Sequence, residues 1–224
     1  MNRLLRKNIF IIFWVIVLLG LLVVCLDIKL LDYIFKPLLM PVLLAAVFLR
    51  AGRTKGKNKI LLALFFSFCG DVFLLFENRG ALFFILGLVC FLITHLFYIS
   101  YFLQIKQSGD SPAKKYPYLI VLVGLYTAFL LYIVWPKLGE LKIPVIIYAC
   151  VISSMLYLSL CIPYKIGKIA GQLFITGAIV FVASDSLLAV NKFYRSFTLA
   201  PFLIRLTYCF AQYCIVKGFI KKRY

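Results

Sequence analysis

The sequence predicts an all-α, polytopic membrane protein with eight transmembrane helices in one bundle and both termini in the cytoplasm. Three observations support this class. Of the 224 residues, 65% are apolar, whereas a soluble domain is close to half apolar. The apolar residues form runs of about 20, which is the length that an α-helix needs to cross a bilayer. Lys and Arg concentrate in the short breaks between these runs, as the positive-inside rule requires.

The first apolar run follows a basic start and is too long for the core of a signal peptide, so we expect it to be a retained span. The later breaks, such as "RAGRTKGKNK", are too short to fold alone. A single transmembrane domain over residues 1–224 is therefore expected. The predicted spans are Ile9–Leu26, Leu31–Leu49, Ile60–Phe76, Ala81–Leu103, Tyr116–Trp135, Ile143–Cys161, Ile169–Val190 and Thr198–Phe219.

The net charge of +18 does not indicate a nucleic-acid partner, because the positive-inside rule alone explains where the charges fall. With the N-terminus in the cytoplasm, most of the 25 Lys and Arg residues lie in cytoplasmic segments. This asymmetry favours both termini inside. The expected surroundings are a lipid bilayer, either a cell inner membrane or a plasma membrane.

Two of the seven acidic residues lie well inside predicted spans, whereas the other five lie in or beside the breaks. Asp71 belongs to "FCGDVFLLF" and Asp185 to "FVASDSLLAV". A charge at bilayer depth costs several kcal/mol, so such residues usually face a bundle interior or a wet cavity and mark function. The alternative is a structural pair with Lys or Arg.

The helical rise places four ionisable side chains at a similar depth. Asp71, Asp185 and Lys36 each lie about 8 Å from the outer end of their spans. Arg205 lies about 10 Å from the outer end of the last span. Four ionisable residues from four spans in one layer predict a shared site.

Small residues mark the expected inner face of the seventh span. Gly167, Gly171 and Ala178 lie on the same side of the helix as Asp185. A stripe of small residues is typical of helix packing in membranes. We therefore expect Asp185 to point inward.

The second and eighth spans also carry notable polar or helix-distorting positions. Arg205, Tyr208 and Gln212 share one face through their i, i+3, i+7 spacing. Pro37 and Pro41 are expected to distort the second span and to free backbone groups beside the site.

The sequence contains no pattern that indicates a metal or a cofactor. His95 is the only histidine; it shares a face with Tyr98 about 21 Å from the outer end of the fourth span, and a lone His is more often a core residue than a ligand. A three-His zinc site is excluded, and the seven Cys residues form no CxxC pair. Neither a GxSxG elbow nor a Gly-rich phosphate loop is present. We therefore expect no cofactor and metal-independent activity.

A pair of carboxyl groups suits acid-catalysed hydrolysis of acetal-like bonds. One protonated carboxyl donates a proton, and the other, ionised, stabilises a cation or activates water. A vinyl ether fits this scheme. The same pair could relay protons in a proton-coupled transporter of lipids or small molecules. A non-catalytic membrane partner is a third possibility, and the residues alone leave all three open.

Five segments together resemble the YhhN family of integral membrane proteins, which includes the lysoplasmalogenases. The resemblance covers the second span to the C-terminus. "GD" and "SD" in order, with "KP" before and "YxxxQ" after, form a fairly specific combination. The five segments are "FKPLLMPVLL", "SFCGDVFLL", "GLVCFLITHLFYI", "GAIVFVASDSLLAVNKF" and "YCFAQYCI".

The resemblance implies an eight-helix enzyme that hydrolyses the vinyl-ether bond of lysoplasmalogens. Its products are a fatty aldehyde and glycerophosphoethanolamine or glycerophosphocholine. Asp71 and Asp185 correspond to the two key acids of the family. Further motif positions are Lys36, His95, Tyr98, Ser184, Asn191, Tyr208 and Gln212. Arg205 is a candidate from its depth and not from the family.

The expected site has Asp71 and Asp185 facing each other across a cavity that opens toward the outer half of the bilayer. Tyr208, Gln212 and Ser184 would line it. Either Lys36 or Arg205 would hold the phosphate head group or tune one acid. The sequence leaves open which Asp donates the proton. It also leaves open which lysophospholipid is the substrate and how many subunits assemble.

Overall fold

The computed structural model describes residues 2–105, 110–162 and 166–222. Within these ranges the secondary structure is helical and contains no strand. Eight of the described helices are long and apolar enough to cross a membrane, which confirms the predicted number of spans. The chain divides into two compact units, one ending at Tyr101 and the other beginning at Phe102. The predictions of one domain and one bundle stay predictions.

The first unit consists of four membrane-length helices joined by short turns. Helix α1 begins at Asn2 instead of the predicted Ile9, because the basic residues before the apolar run are already helical. The connection between α2 and α3 contains Gly52 and Gly56, which both have positive φ angles. These helices are α1 (Asn2–Cys25), α2 (Lys29–Arg50), α3 (Lys57–Leu75) and α4 (Ala81–Ile105), the last of which extends into the second unit.

Close contacts hold α3 against α4. A Cβ added to Gly70 would lie 2.9 Å from the ring of Phe91, so only glycine fits there without a shift. The hydroxyls of Ser67 and Thr94 are 3.1 Å apart, and Thr94 also donates to the Ala63 carbonyl. In a membrane, small residues and interhelical hydrogen bonds replace the hydrophobic drive for packing. This pattern therefore suits two neighbouring spans.

The two prolines of the second span do not interrupt it. Helix α2 runs continuously from Lys29 to Arg50 with Pro37 and Pro41 inside. Each proline lacks an N–H, so each removes one backbone hydrogen bond from the helix. The carbonyl groups that would have accepted these two hydrogen bonds lose their helical donors. The helix nevertheless continues through both proline positions.

Among its described residues, the second unit contains one short helix and four membrane-length helices. Ser111 caps the short helix by accepting from the Lys114 N–H at 3.3 Å. Two 3₁₀ turns connect α6 to α7. The helices are α5 (Pro112–Lys115), α6 (Leu119–Val134), α7 (Lys142–Leu160), α8 (Lys168–Ala189) and α9 (Ala200–Lys221).

Helix α8 does not end where the sequence predicts. It continues as a π-helical segment from Val190 to Tyr194, so the span comprises 27 residues, Lys168–Tyr194. The polar residues "NK" were expected to begin a loop, but a wider helical turn accommodates them. The Asn191 side chain then accepts a hydrogen bond from the Phe197 N–H at 3.3 Å and closes the loop before α9. The predicted end at Val190 was therefore four residues short.

The packing of α8 on α9 depends on glycines other than those of the predicted stripe. A Cβ on Gly177 would lie 2.7 Å from Ile215 Cγ1 and 3.0 Å from the Ala211 carbonyl oxygen. Nothing lies within 4 Å of a Cβ on Gly171. Gly167 precedes the helix with φ +103° and is equally open. Gly171 and Ala178 of the predicted stripe are buried, but the glycine of α8 that leaves no room for a Cβ against α9 is Gly177, which lies outside the stripe.

Reporter fusions test the orientation that the Lys and Arg distribution predicts. A fusion at Arg53, between α2 and α3, should report the cytoplasm, because that connection is strongly basic. A fusion at Arg79, between α3 and α4, should report the opposite side. A fusion at Lys115 serves as the control and should agree with Arg53. If the fusions at Arg53 and Arg79 reported the same side of the membrane, the predicted orientation would be wrong and α3 would not cross the membrane.

Candidate functional site

The second unit contains a carboxylate that is held by a phenol inside a membrane span. Asp185 lies on α8 and is half-buried. The Tyr148 hydroxyl on α7 donates a hydrogen bond to Asp185 Oδ2 at 2.5 Å. A hydrogen bond to a carboxylate is among the stronger ones in proteins. This contact joins α7 to α8 and fixes the direction of the Asp185 side chain.

Two further hydroxyl pairs join the same three helices. The Tyr126 hydroxyl on α6 donates to Ser186 Oγ on α8 at 2.8 Å. The hydroxyls of Thr127 on α6 and Ser153 on α7 are 2.6 Å apart. Together with the Tyr148–Asp185 bond, they give a layer of polar contacts between otherwise apolar helices.

These side chains enclose a cavity of about 50 Å³ between α6, α7 and α8. A cavity of that volume has room for a few water molecules, although most of its accessible lining is apolar. A lysophospholipid head group is larger than this space. The polar lining residues are Tyr126, Thr127, Tyr148, Ser153, Asp185 and Ser186. The apolar lining residues are Leu130, Leu131, Val134, Val145, Ala149, Ile152, Val182 and Ala189.

The predicted lining residues do not belong to this cavity. Ser184 faces α9 instead, where its hydroxyl donates to the Ile204 carbonyl at 3.1 Å. Tyr208 packs edge-on against Phe181. The physical reason is the helical rotation of about 100° per residue, which turns Ser184 and Asp185 toward different neighbours. That Tyr208, Gln212 and Ser184 line a cavity between Asp71 and Asp185 stays a prediction.

The shared face on α9 is buried, as the spacing predicted. Arg205, Tyr208 and Gln212 are all buried, and Gln212 is 0% exposed. Asn191 lies in the π-helical segment, where it accepts the Phe197 N–H and stabilises the loop. For Asn191 the structure thus provides a local structural role.

The first unit contains the other sequence-predicted residues. Asp71 on α3 is 2% exposed, and one turn before it Ser67 bonds to Thr94. His95 and Tyr98 on α4 are completely buried. Lys36 is half-buried on α2. The pairing of Asp71 with Asp185 stays a prediction.

Reasoning from the sequence missed the hydroxyl groups around Asp185. Tyr126 and Thr127 lie in the middle of the fifth span, and Tyr148 and Ser153 lie in the sixth. A polar side chain inside a span is expensive unless it has a partner. Hydroxyl residues at similar depth in consecutive spans were therefore the pattern that could have predicted this cluster.

No three His, Cys, Asp or Glu side chains gather into a possible metal site in the part of the chain that the structure describes. Independence from metals remains the prediction. Treatment with a chelator should leave the turnover of the purified protein unchanged, because two carboxyl groups can supply acid catalysis without a Lewis acid. Activity is measured before and after treatment, with a zinc-dependent hydrolase as the positive control for chelation. A complete loss that zinc restores would contradict this prediction.

The fold and this site define a polytopic, α-helical membrane protein with a hydrogen-bonded carboxylate inside a span. The chain belongs to the YhhN family, whose model matches residues 31–219. It is 27% identical over 181 residues to lysoplasmalogenase TMEM86A of Homo sapiens, covering 74% of this chain and 67% of that protein. It is 29% identical over 182 residues to a lysoplasmalogenase of Mycobacterium bovis, covering 80% of this chain and 67% of that protein.

A third relative is lysoplasmalogenase TMEM86A of Bos taurus, which is 30% identical over 173 residues. That match covers 74% of this chain and 67% of the bovine protein. No solved structure matches the chain significantly. The relatives from a bacterium and from mammals thus share one name, lysoplasmalogenase.

Proposed function

We propose that this protein is a membrane-embedded lysoplasmalogenase-like hydrolase that cleaves the vinyl-ether bond of a lysoplasmalogen. The observation that carries the proposal is the family match over residues 31–219, which includes both intramembrane acids. Relatives from mammals and mycobacteria that are named lysoplasmalogenase support the class of ether-bond hydrolase. The substrate class is a lysophospholipid, and the products are a fatty aldehyde and glycerophosphoethanolamine or glycerophosphocholine.

The reaction requires one proton donor and one carboxylate. The donor protonates the vinyl carbon β to the ether oxygen, which leaves an oxocarbenium ion. A water oxygen adds to the carbon beside the ether oxygen, and one water proton leaves. The resulting hemiacetal loses its hydroxyl proton while the carbon–oxygen bond to glycerol breaks and the glycerol oxygen takes a proton. The sum is one vinyl ether and one water giving one aldehyde and one alcohol.

We assign the donor and carboxylate roles to the pair Asp71 and Asp185. General acid and base groups of this kind each contribute about 10²–10⁴-fold in rate. The apolar surroundings of a bilayer can keep a carboxyl group protonated, and a hydrogen-bonding neighbour can keep one ionised. Either Lys36 or Arg205 is proposed to hold the phosphate of the head group or to tune one acid, because each is a cation within a span. His95, Tyr98, Tyr208 and Gln212 are proposed to support the site, as their motif positions imply.

The decisive experiment measures aldehyde release from lysoplasmenylethanolamine by the purified protein in detergent. The saturated alkyl-ether analogue of the same lipid is the control, because it lacks the double bond that the donor protonates. Release from the vinyl ether alone is the expected result. No aldehyde, together with uptake of the lipid into proteoliposomes, would favour the proton-coupled transporter instead.

Cell location and domain organisation complete the proposal. A multi-pass protein with eight spans is proposed to reside in a cell inner membrane or a plasma membrane. All eight spans are proposed to form one transmembrane domain, since the breaks between them are too short to fold alone. Fractionation of cell membranes with an antibody to the C-terminus would identify the compartment.

A further inference from the structure

Four exposed cations lie at one end of the second unit. Lys137 donates a hydrogen bond from its Nζ to the Tyr194 carbonyl at 2.7 Å, which joins the turn after α6 to the end of the α8 span. Apolar residues from the end of α6, the start of α7 and the π-helical segment pack together at the same end. We call this surface the basic end. It consists of Lys137, Lys142, Lys192 and Arg195.

The basic end carries the aromatic residues of a membrane boundary. Trp135 is 44% exposed and Tyr194 is 52% exposed, and such residues are enriched where hydrocarbon meets water. Lys142 Nζ lies 5.0 Å from the centre of the Trp135 ring, and Lys137 Nζ lies 5.9 Å from the centre of the Tyr194 ring. The cations are therefore at the level of lipid head groups, where basic residues bind phosphate.

The positive-inside rule does not account for the basic end. In the predicted orientation the connection from α6 to α7 lies outside the cytoplasm, where the rule places few Lys and Arg residues. Glu140 is the acidic residue of this connection, so the cations outnumber it four to one. A local excess of positive charge attracts anions such as the phosphate of a lipid.

We propose that the basic end binds the phosphate of the lysoplasmalogen head group and so sets the depth at which the vinyl ether meets Asp185. The inference rests on the proposed function and names the phosphate site of that function. Lys192 follows Asp185 by seven residues in the same span, a rise of about 10 Å. In an extended lysoplasmalogen the phosphorus and the vinyl carbon that takes the proton are about 8 Å apart by ordinary bond lengths. The two distances agree within the reach of a lysine side chain.

The side chains of the basic end have the chemistry for this ligand. Arg195 carries a planar guanidinium, which can donate two parallel hydrogen bonds to one phosphate. A lysine ammonium has three donors, so Lys137 can bind phosphate while it holds the Tyr194 carbonyl. With the phosphate at this end, the role left for Lys36 and Arg205 is to tune one acid.

Two unreactive lipids test the phosphate site. The alkyl-ether analogue of lysoplasmenylethanolamine keeps the phosphate, and the corresponding alkylglycerol lacks it. Binding of each lipid to the purified protein in detergent is measured by isothermal titration calorimetry. We expect Arg195→Gln and Lys142→Gln each to weaken binding of the phosphate-bearing lipid about fivefold and to leave binding of the alkylglycerol unchanged. The matched controls change exposed cations elsewhere and should bind both lipids like the wild type. They are Lys168→Gln, at the opposite end of the α8 span, and Arg53→Gln, between α2 and α3.

The outcomes separate the inference from the function on which it rests. Normal affinity of both variants for the phosphate-bearing lipid would overturn the inference, and so would an equal loss for the two lipids, which indicates a structural effect. A similar loss in the two controls would also overturn it, because the lipid would then respond to total charge. If the variants behave as expected but the wild type releases no aldehyde from lysoplasmenylethanolamine, the phosphate site stands and the hydrolase fails.

Discussion

We expect Asp71→Asn and Asp185→Asn each to abolish aldehyde release while leaving a folded protein. Asparagine has the size of aspartate but neither donates a proton as an acid does nor carries a negative charge. Each variant therefore removes a role that contributes about 10²–10⁴-fold in rate. Turnover of lysoplasmenylethanolamine is measured in detergent beside thermal unfolding of the same samples. Asp110→Asn, a change at an exposed loop carboxylate, is the control and should match the wild type.

His95→Ala should reduce turnover less than either aspartate variant. His95 lies about 21 Å from the outer end of its span by the helical rise, which is deeper than the predicted layer of acids. Near-normal activity in one of the aspartate variants would show that the carboxyl-pair mechanism is wrong even though the chain belongs to the family. Loss of folding in both aspartate variants would show that the two acids have structural roles instead.

Gly177→Ala destabilises the second unit. The new Cβ would lie 2.7 Å from Ile215 Cγ1 and 3.0 Å from the Ala211 carbonyl oxygen on α9. Side chains can move, but the backbone carbonyl moves only with the helix, so α8 and α9 must separate. Overpacking of this kind typically costs about 1–3 kcal/mol. We expect a lower unfolding temperature for Gly177→Ala in detergent, measured by circular dichroism.

Gly171→Ala on the same helix is the matched control. Nothing lies within 4 Å of a Cβ at that position, and alanine favours a helix interior over glycine by roughly 0.5–1 kcal/mol. The control should therefore unfold at the same temperature as the wild type or slightly above it. Equal destabilisation of the two variants would mean that the loss does not come from the close contact between α8 and α9 at Gly177.

The spans could be predicted because a bilayer restricts the possible structures so strongly. A run of apolar residues in lipid must satisfy its own backbone, and a helix does so. The eight runs therefore give eight helices. The end of α8 was mispredicted because Asn191 and Lys192 resemble a loop in composition, whereas the backbone continues into a π-helical turn.

The neighbours of each side chain were harder to predict. In a span that is apolar on every side, hydrophobicity does not indicate which face packs against protein. Gly171 and Gly177 are equivalent in composition, yet only Gly177 meets another helix. Asp185 was correctly singled out, because a carboxylate in a span is costly wherever it points. Its partner Tyr148 was missed, since a tyrosine in a span is not unusual by itself.

The extension of α8 to Tyr194 makes the position of Asp185 electrically significant. At about 1.5 Å per residue the span is roughly 40 Å long, and Asp185 lies about 14 Å from its end. If the 30 Å hydrocarbon core is centred on this helix, a proton reaching Asp185 from the nearer surface crosses a little over roughly a quarter of the membrane field. A full crossing changes the energy by about 2.3 kcal/mol per 100 mV. In a cell membrane that maintains a voltage, part of this energy is therefore added to the work of bringing a proton to the depth of Asp185, whereas a detergent micelle adds none.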